Sequence, residues 1–266
     1  MITTHEQQFS PEFDCEPAEH RRTLVIASTG RSGSHMLGRT LRQTGAFGFP
    51  LEYLHRDNFR QWGRITGESR PLEILRAIIR RRTSPNGVFG IKLHYSQLVG
   101  FGDTAGLLDA LVNPFFVHLT RGDVVAQAVS YSIAVQTGQW ASEQQPRSPD
   151  ATYDAALINR CLREILADNA GWQHFLAACG FDWMPLQFES VSADPVASIR
   201  RIAEQSGIEL PQVVPIELAT RKQGGSLNAE WAERFKREHP RVPELFLARN
   251  DLLRYLFRGV RRRLLR

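Results

Sequence analysis

Residues Leu24 to Leu41 read LVIASTGRSGSHMLGRTL, an order of residue types that leaves few folds open. The β-branched apolar run predicts a buried strand over Thr23–Ser28, and the spacing beyond the Gly/Ser turn predicts a helix over Ser34–Thr44, ended by Gly45. A strand, a tight turn and a helix in that order open a parallel βαβ unit. Several backbone N–H groups and the positive end of the helix dipole then point at one place, which suits an anion. Gly30 and Gly33 let the chain turn sharply, Arg31 brings a guanidinium fork, and the Ser32 and Ser34 hydroxyls can donate. The turn lacks the lysine of G-x-x-x-x-G-K-[ST], and neither G-x-G-x-x-G nor a G-x-S-x-G nucleophile elbow is present. It reads as a cradle for a phosphate-like group without the ATP or NAD signature, against the plainer reading of a βα turn capped by serine.

The rest of the chain repeats the alternation. Helical spacing over Pro71–Arg82 puts Leu72, Leu75 and Ile79 on one face, and strands are predicted at Gly87–Leu93, Pro114–Thr120 and Met184–Phe188. Further helices are predicted at Gly106–Leu111, Asp123–Gln136, Tyr153–Cys179 and Asp194–Gln205, the last with Asp194 as its cap and Pro195 in its first turn. The alternation implies an α/β fold class, a central, mostly parallel sheet flanked by helices on both faces. The 266 residues divide into a flexible tail (1–22), one domain (23–243) and a basic amphipathic helix (244–266).

Composition narrows the function. The net charge of +5 favours anionic partners, and no segment approaches the ~18 consecutive apolar residues of a membrane span. The three cysteines, Cys15, Cys161 and Cys179, have no C-x-x-C spacing, which argues against a disulfide framework and fits a reducing cytoplasm. His35, His55, His94 and His118 lie near the motifs, but none pairs at metal-ligand spacing, so no metal is expected. The basic residues gather at the turn and the C-terminus rather than in a stripe interleaved with aromatics, which argues against nucleic acid.

Four stretches together carry a resemblance: the ASTGRSGS opening, GFPLE at Gly48–Glu52, NGVFGIKL at Asn86–Leu93, and RGDVVAQAVS at Arg121–Ser130 followed by AVQT. The chain resembles sulfotransferases that use 3′-phosphoadenosine 5′-phosphosulfate (PAPS), and within them the bacterial trehalose 2-sulfotransferase family, from about Thr23 to Arg237. The resemblance implies the sulfotransferase fold, a three-layer, P-loop-like version of the α/β class, and transfer of a sulfuryl group from PAPS to a hydroxyl of a carbohydrate or glycolipid. It implies that Gly30–Ser34 hold the 5′-phosphosulfate, with the His35 imidazole donating where the family commonly has threonine. Arg121 and Ser130 would hold the 3′-phosphate, and Arg221 and Gln223 would close over the nucleotide. Glu52 matches the family's catalytic glutamate and would act as general base, with Arg31 stabilising charge on the leaving oxygens. Lys92 matches a family lysine and, with His94, is expected beside the acceptor. Homodimerisation would follow from the same resemblance alone.

This chain departs from the family where G-E-P-Q-E becomes G-F-P-L-E. Phe49 and Leu51 replace two polar side chains next to the base, so the expected acceptor has an apolar flank, as a glycolipid does. Leu245, Leu252, Leu256, Val260 and Leu264 recur at helical spacing beside Arg254, Arg258 and Arg261–Arg263. Such a helix suits docking on the core or on a second copy, the commoner fate of a terminal helix, or contact with an anionic membrane at the inner face. Two other functions compete: a P-loop-type kinase acting on a small molecule with ATP and magnesium, and a non-catalytic nucleotide binder.

Overall fold

A computed structural model describes residues 9–140, 147–148, 150–211 and 225–238. Four strands, β1 (Arg22–Ser28), β2 (Val88–His94), β3 (Pro114–Thr120) and β4 (Asp182–Gln187), form one sheet in the order β2-β1-β3-β4. Each neighbouring pair is parallel, which requires the crossover helices that the alternating pattern announced. The helices are α1 (Ser34–Gln43), α2 (Arg56–Thr66), α3 (Pro71–Arg82), α4 (Tyr95–Gly100), α5 (Thr104–Ala110), α6 (Val124–Thr137), α7 (Ala155–Cys179), α8 (Phe188–Ala193), α9 (Pro195–Ser206) and α10 (Ser226–Glu238).

The two-residue period of β1 builds both halves of the core. Val25 and Ala27 join Ile78, Phe89, Phe116 and Trp172 on one face, and Leu24 and Ile26 join Leu37, Val117 and Ile202 on the other. A third cluster packs α6 and α7 against Trp231 and Phe235 of α10. From β1 the chain crosses to β2 on one side, and from β3 it crosses to β4 on the other. The crevice at such a reversal, beyond the carboxyl ends of β1 and β3, is where ligands bind in open α/β sheets.

The flexible tail expected over residues 1–22 does not describe Phe9–Arg21. Phe9 and Phe13 pack on the core, and the Phe13 ring lies 5.3 Å from that of Phe49. The Arg42 guanidinium lies over both rings, 3.9 and 4.0 Å from their centroids. Asp14 pairs with Arg81 at 3.0 Å and with the fully buried Arg82 at 3.3 Å. Nothing local in EFDCEP foretells this, because its partners lie about thirty to seventy residues away, on α1, at Phe49 and on α3. The predicted helix over 244–266 falls outside the described residues. Among those described, no helix is long and apolar enough to cross a membrane.

Candidate active site

The turn after β1 sits in the crevice. Arg31 is held at φ 61°, a left-handed conformation unusual for a residue with a side chain, and Gly33 follows at φ 89°. A Cβ on Gly33 would come within 2.1 Å of the Phe188 ring, so only glycine fits between the turn and α8. Gly33 is the N-cap of α1 and supplies no side-chain cap, which leaves the first-turn N–H groups around Ser34 and His35 without one. The turn is pinned from α6. Gln127, fully buried, donates to Thr29 Oγ1 at 2.9 Å and to the Gly30 carbonyl at 2.7 Å.

Two guanidinium groups converge there. Arg31 Nε donates to Ser130 Oγ at 3.0 Å, and Arg31 Nη1 donates to the Trp140 carbonyl. Arg121, just beyond β3, makes a long contact of 3.4 Å to the Arg31 carbonyl and lies 4.9 Å over the Phe188 ring. Burial, and then the charge of Arg121, lowers the Arg31 guanidinium to about 10. Both groups remain cationic at neutral pH. Two buried polar atoms, Ser32 Oγ and Arg121 Nε, have no hydrogen-bond partner among the described residues. The anion-binding residues expected as two groups therefore form one cluster, because the Arg31 side chain spans from the turn to Ser130.

A second cluster forms along β2. The GFPLE segment runs beside this strand, with Leu51 bridging Ile91 and the Lys92 N–H donating to the Leu51 carbonyl at 2.8 Å. This approach needs two glycines, since a Cβ on Gly48 would lie 2.7 Å from the Gly90 nitrogen and one on Gly90 would lie 2.2 Å from the Phe47 carbonyl. The spacing of both motifs thus has one physical cause, the contact of two backbones. It sets Glu52 beside Lys92, whose Nζ lies 2.6 Å from Glu52 Oε2. Gln97 Nε2 donates to Glu52 Oε1 at 2.6 Å. The start of α2 holds the Glu52 backbone, as Asn58 Nδ2 donates to its carbonyl at 2.9 Å.

Burial opposes charge on Glu52, but the Lys92 ammonium, His94 at the acid pH where it is protonated, and the hydrogen bonds from Lys92 and Gln97 outweigh it and hold the carboxyl well below the usual range. His94 is lowered, chiefly by burial, so its imidazole is neutral at pH 7 and its Nδ1, 3.5 Å from Glu52, makes no ion pair. The Glu52 side chain keeps 20% of its exposure. Tyr131 links the clusters: a Cβ on Gly30 would lie 3.3 Å from its ring. Burial, and then the charges of Glu164, Cys161, Asp168 and Glu52, push the Tyr131 hydroxyl up to about 12.

Phe49 and Leu51, expected beside an acceptor, are core residues instead, 5% and 8% exposed. The Phe49 ring is covered by Phe13 and Arg42, which removes the argument for an apolar acceptor flank. Arg221 and Gln223 lie outside the described residues. Among the described residues no group of three His, Cys, Asp or Glu side chains could hold a metal ion. Gln97, Gln127, Tyr131 and Phe188 were missed by sequence reasoning. Gln127 stands inside the quoted RGDVVAQAVS motif, Tyr131 directly follows it, and Phe188 lies in the QFESVSADP segment that resembles a sulfotransferase strand-to-helix stretch; Gln97 carries no such signal.

Comparison with known proteins supplies an independent line. The model of a family described as Stf0 sulphotransferase matches residues 23–238. A trehalose 2-sulfotransferase of Mycobacterium tuberculosis is 29% identical over 83% of this chain and 97% of its own length. One from Mycolicibacterium smegmatis is 26% identical over 84% and 98%. A sulfotransferase structure from Alicyclobacillus acidocaldarius matches 86% of this chain and 99% of that one with a TM-score of 0.50 at 15% identity, a likeness of fold.

Proposed function

Because the chain belongs to the Stf0 sulphotransferase family and is a sulfotransferase, we propose that it transfers the sulfuryl group of PAPS to a sugar hydroxyl, with Glu52 as general base. The observation that supports this reading is the closeness of Arg31 and Arg121 at the turn that leads into the uncapped α1, two cations suited to a doubly phosphorylated nucleotide. The unpartnered Ser32 Oγ and Arg121 Nε fit the same ligand, since a phosphate or sulfuryl oxygen would complete both. On this reading Arg31, the α1 amides and His35 face the phosphosulfate, while Arg121 and Ser130 face the 3′-phosphate. Arg221 and Gln223 keep the role that the family resemblance gives them.

The acceptor oxygen attacks sulfur, the bond from sulfur to the bridging phosphate oxygen breaks, and 3′-phosphoadenosine 5′-phosphate leaves with the electron pair. The acceptor proton passes to Glu52. A carboxylate held as low as Glu52 is a weak base toward a resting alcohol. It becomes competent as the O–S bond forms and the attacking oxygen turns strongly acidic, so proton transfer comes late. Lys92 keeps Glu52 ionised, and His94 lies at the acceptor side as a neutral hydrogen-bonding group. With Phe49 and Leu51 buried, the sugar of the relatives fits better than a glycolipid, and trehalose is the first acceptor to try. Mass spectrometry of the chain with PAPS and trehalose tests this. Sulfated trehalose and 3′-phosphoadenosine 5′-phosphate in equal amounts are expected, and both lost in Glu52→Gln. Full turnover by that variant would refute the base.

A further inference from the structure

We infer that Gln97 is a positioning residue that fixes the orientation of the Glu52 carboxylate, a role that rests on the reading of Glu52 as the base. Gln97 lies in the first turn of α4, directly after β2. Its Oε1 accepts the His94 backbone N–H at 3.0 Å, and its Nε2 donates to Glu52 Oε1 at 2.6 Å. A carboxamide has one accepting end and one donating end, and a backbone N–H can be met only by the oxygen. The His94 amide therefore fixes which end of Gln97 faces the carboxylate. The helix that carries it is anchored, with Leu98 buried and the Tyr95 ring 5.6 Å from that of buried Trp172.

A carboxylate held only by Lys92 could rotate about its last bond and keep its ion pair. With Oε2 on Lys92 and Oε1 on Gln97 it has one orientation, and the lone pairs left for an acceptor proton are fixed in space. Lys92 could not do this alone, because an ammonium on a four-carbon stem is a point charge without a preferred plane. The groups that face Glu52 are Lys92 and His94 from β2, Gln97 from α4 and Tyr131 from α6, with His55 near His94. Lys92 stays in both Gln97 variants.

Gln97→Glu separates positioning from capping. It keeps an acceptor for the His94 N–H but replaces the donor toward Glu52 with a second carboxylate, and two carboxylates at that distance must share a proton. Protein labelled with carbon-13 at the glutamate carboxyls, with the Glu52 signal assigned by its loss in Glu52→Gln, reports the titration directly. We expect Glu52 to titrate at higher pH in Gln97→Glu, and the acid limb of sulfuryl transfer from PAPS to trehalose to move upward with it. Gln97→Met should lower kcat by about tenfold with the KM for PAPS unchanged. An unaltered Glu52 titration in a folded Gln97→Glu protein would overturn the inference and leave the base reading intact. Full activity of Glu52→Gln would instead remove the base reading while the titration still measured the Gln97 contact.

Discussion

The two clusters at the carboxyl end of the sheet are satisfied to different degrees. Around Glu52 both carboxylate oxygens have partners, Lys92 on one and Gln97 on the other. Around Arg31 and Arg121 two cations are drawn together, a helix end is uncapped by any side chain, and Ser32 Oγ and Arg121 Nε lack hydrogen-bond partners among the described residues. Leaving buried polar groups unmade is costly, roughly 1–3 kcal/mol each. On the proposed function, a phosphate or sulfuryl oxygen of the nucleotide would complete them. On the carboxylate side the Glu52 oxygens are already held, and His94 Nε2 lacks a partner among the described residues.

The largest way to break this contrast is Glu52→Gln. It keeps the size of the side chain but removes the base, and kcat should fall by about 10³-fold. Nucleotide affinity, measured by calorimetry with 3′-phosphoadenosine 5′-phosphate, should stay as it was. The converse variant, Arg121→Ala, should weaken binding of that nucleotide by about 100-fold, the loss of a charged hydrogen-bonding group, and leave the Glu52 titration unmoved. If either variant disturbs both readouts equally, the two clusters act as one.

Smaller changes sharpen the comparison. Gln127→Leu removes the two bonds that pin Thr29 and Gly30, and nucleotide affinity should drop by about tenfold with little change in the Glu52 titration. Glu52 also links stability to pH. Its folded-state pKa is depressed, so its contribution is fully present above the ordinary carboxylate range and is lost as pH falls through the folded value. In Lys92→Met, acid denaturation curves should lose that component. The smallest effect is a control: Asp154 caps α7 by accepting the Leu157 N–H at 2.9 Å and belongs to neither cluster. Asp154→Ala should cost about 1 kcal/mol of stability and change neither binding nor turnover.

How far the residues foretold all this differs by element. The strand over Pro114–Thr120 and the helix over Pro71–Arg82 are found where the pattern put them, because each buries a full face. The strand predicted to begin at Met184 begins at Asp182, where the exposed edge residues Asp182 and Trp183 break the apolar pattern. The helix at Arg56–Thr66 escaped, since only Asn58 and Trp62 are fully buried along it and Gly63 interrupts the signal. At the site, the Gly/Ser turn announced an anion from its own residues. The contacts of Glu52 could not be read that way, since Gln97 is 45 positions away and nothing near it marks a function. Phe49 and Leu51 misled because a loop residue beside a motif was read as facing the ligand, while a distant segment, Phe9–Arg21, covers that side.

On the proposed function, the Arg31–Arg121 pair holds a nucleotide carrying phosphates at both its 3′ and 5′ ends. Calorimetric titration with 3′-phosphoadenosine 5′-phosphate and, separately, with ATP, both without magnesium, tests it most directly. Tight binding of the first and weak binding of the second are expected. ATP bound tightly, with 3′-phosphoadenosine 5′-phosphate ignored, would contradict it and point instead to a kinase.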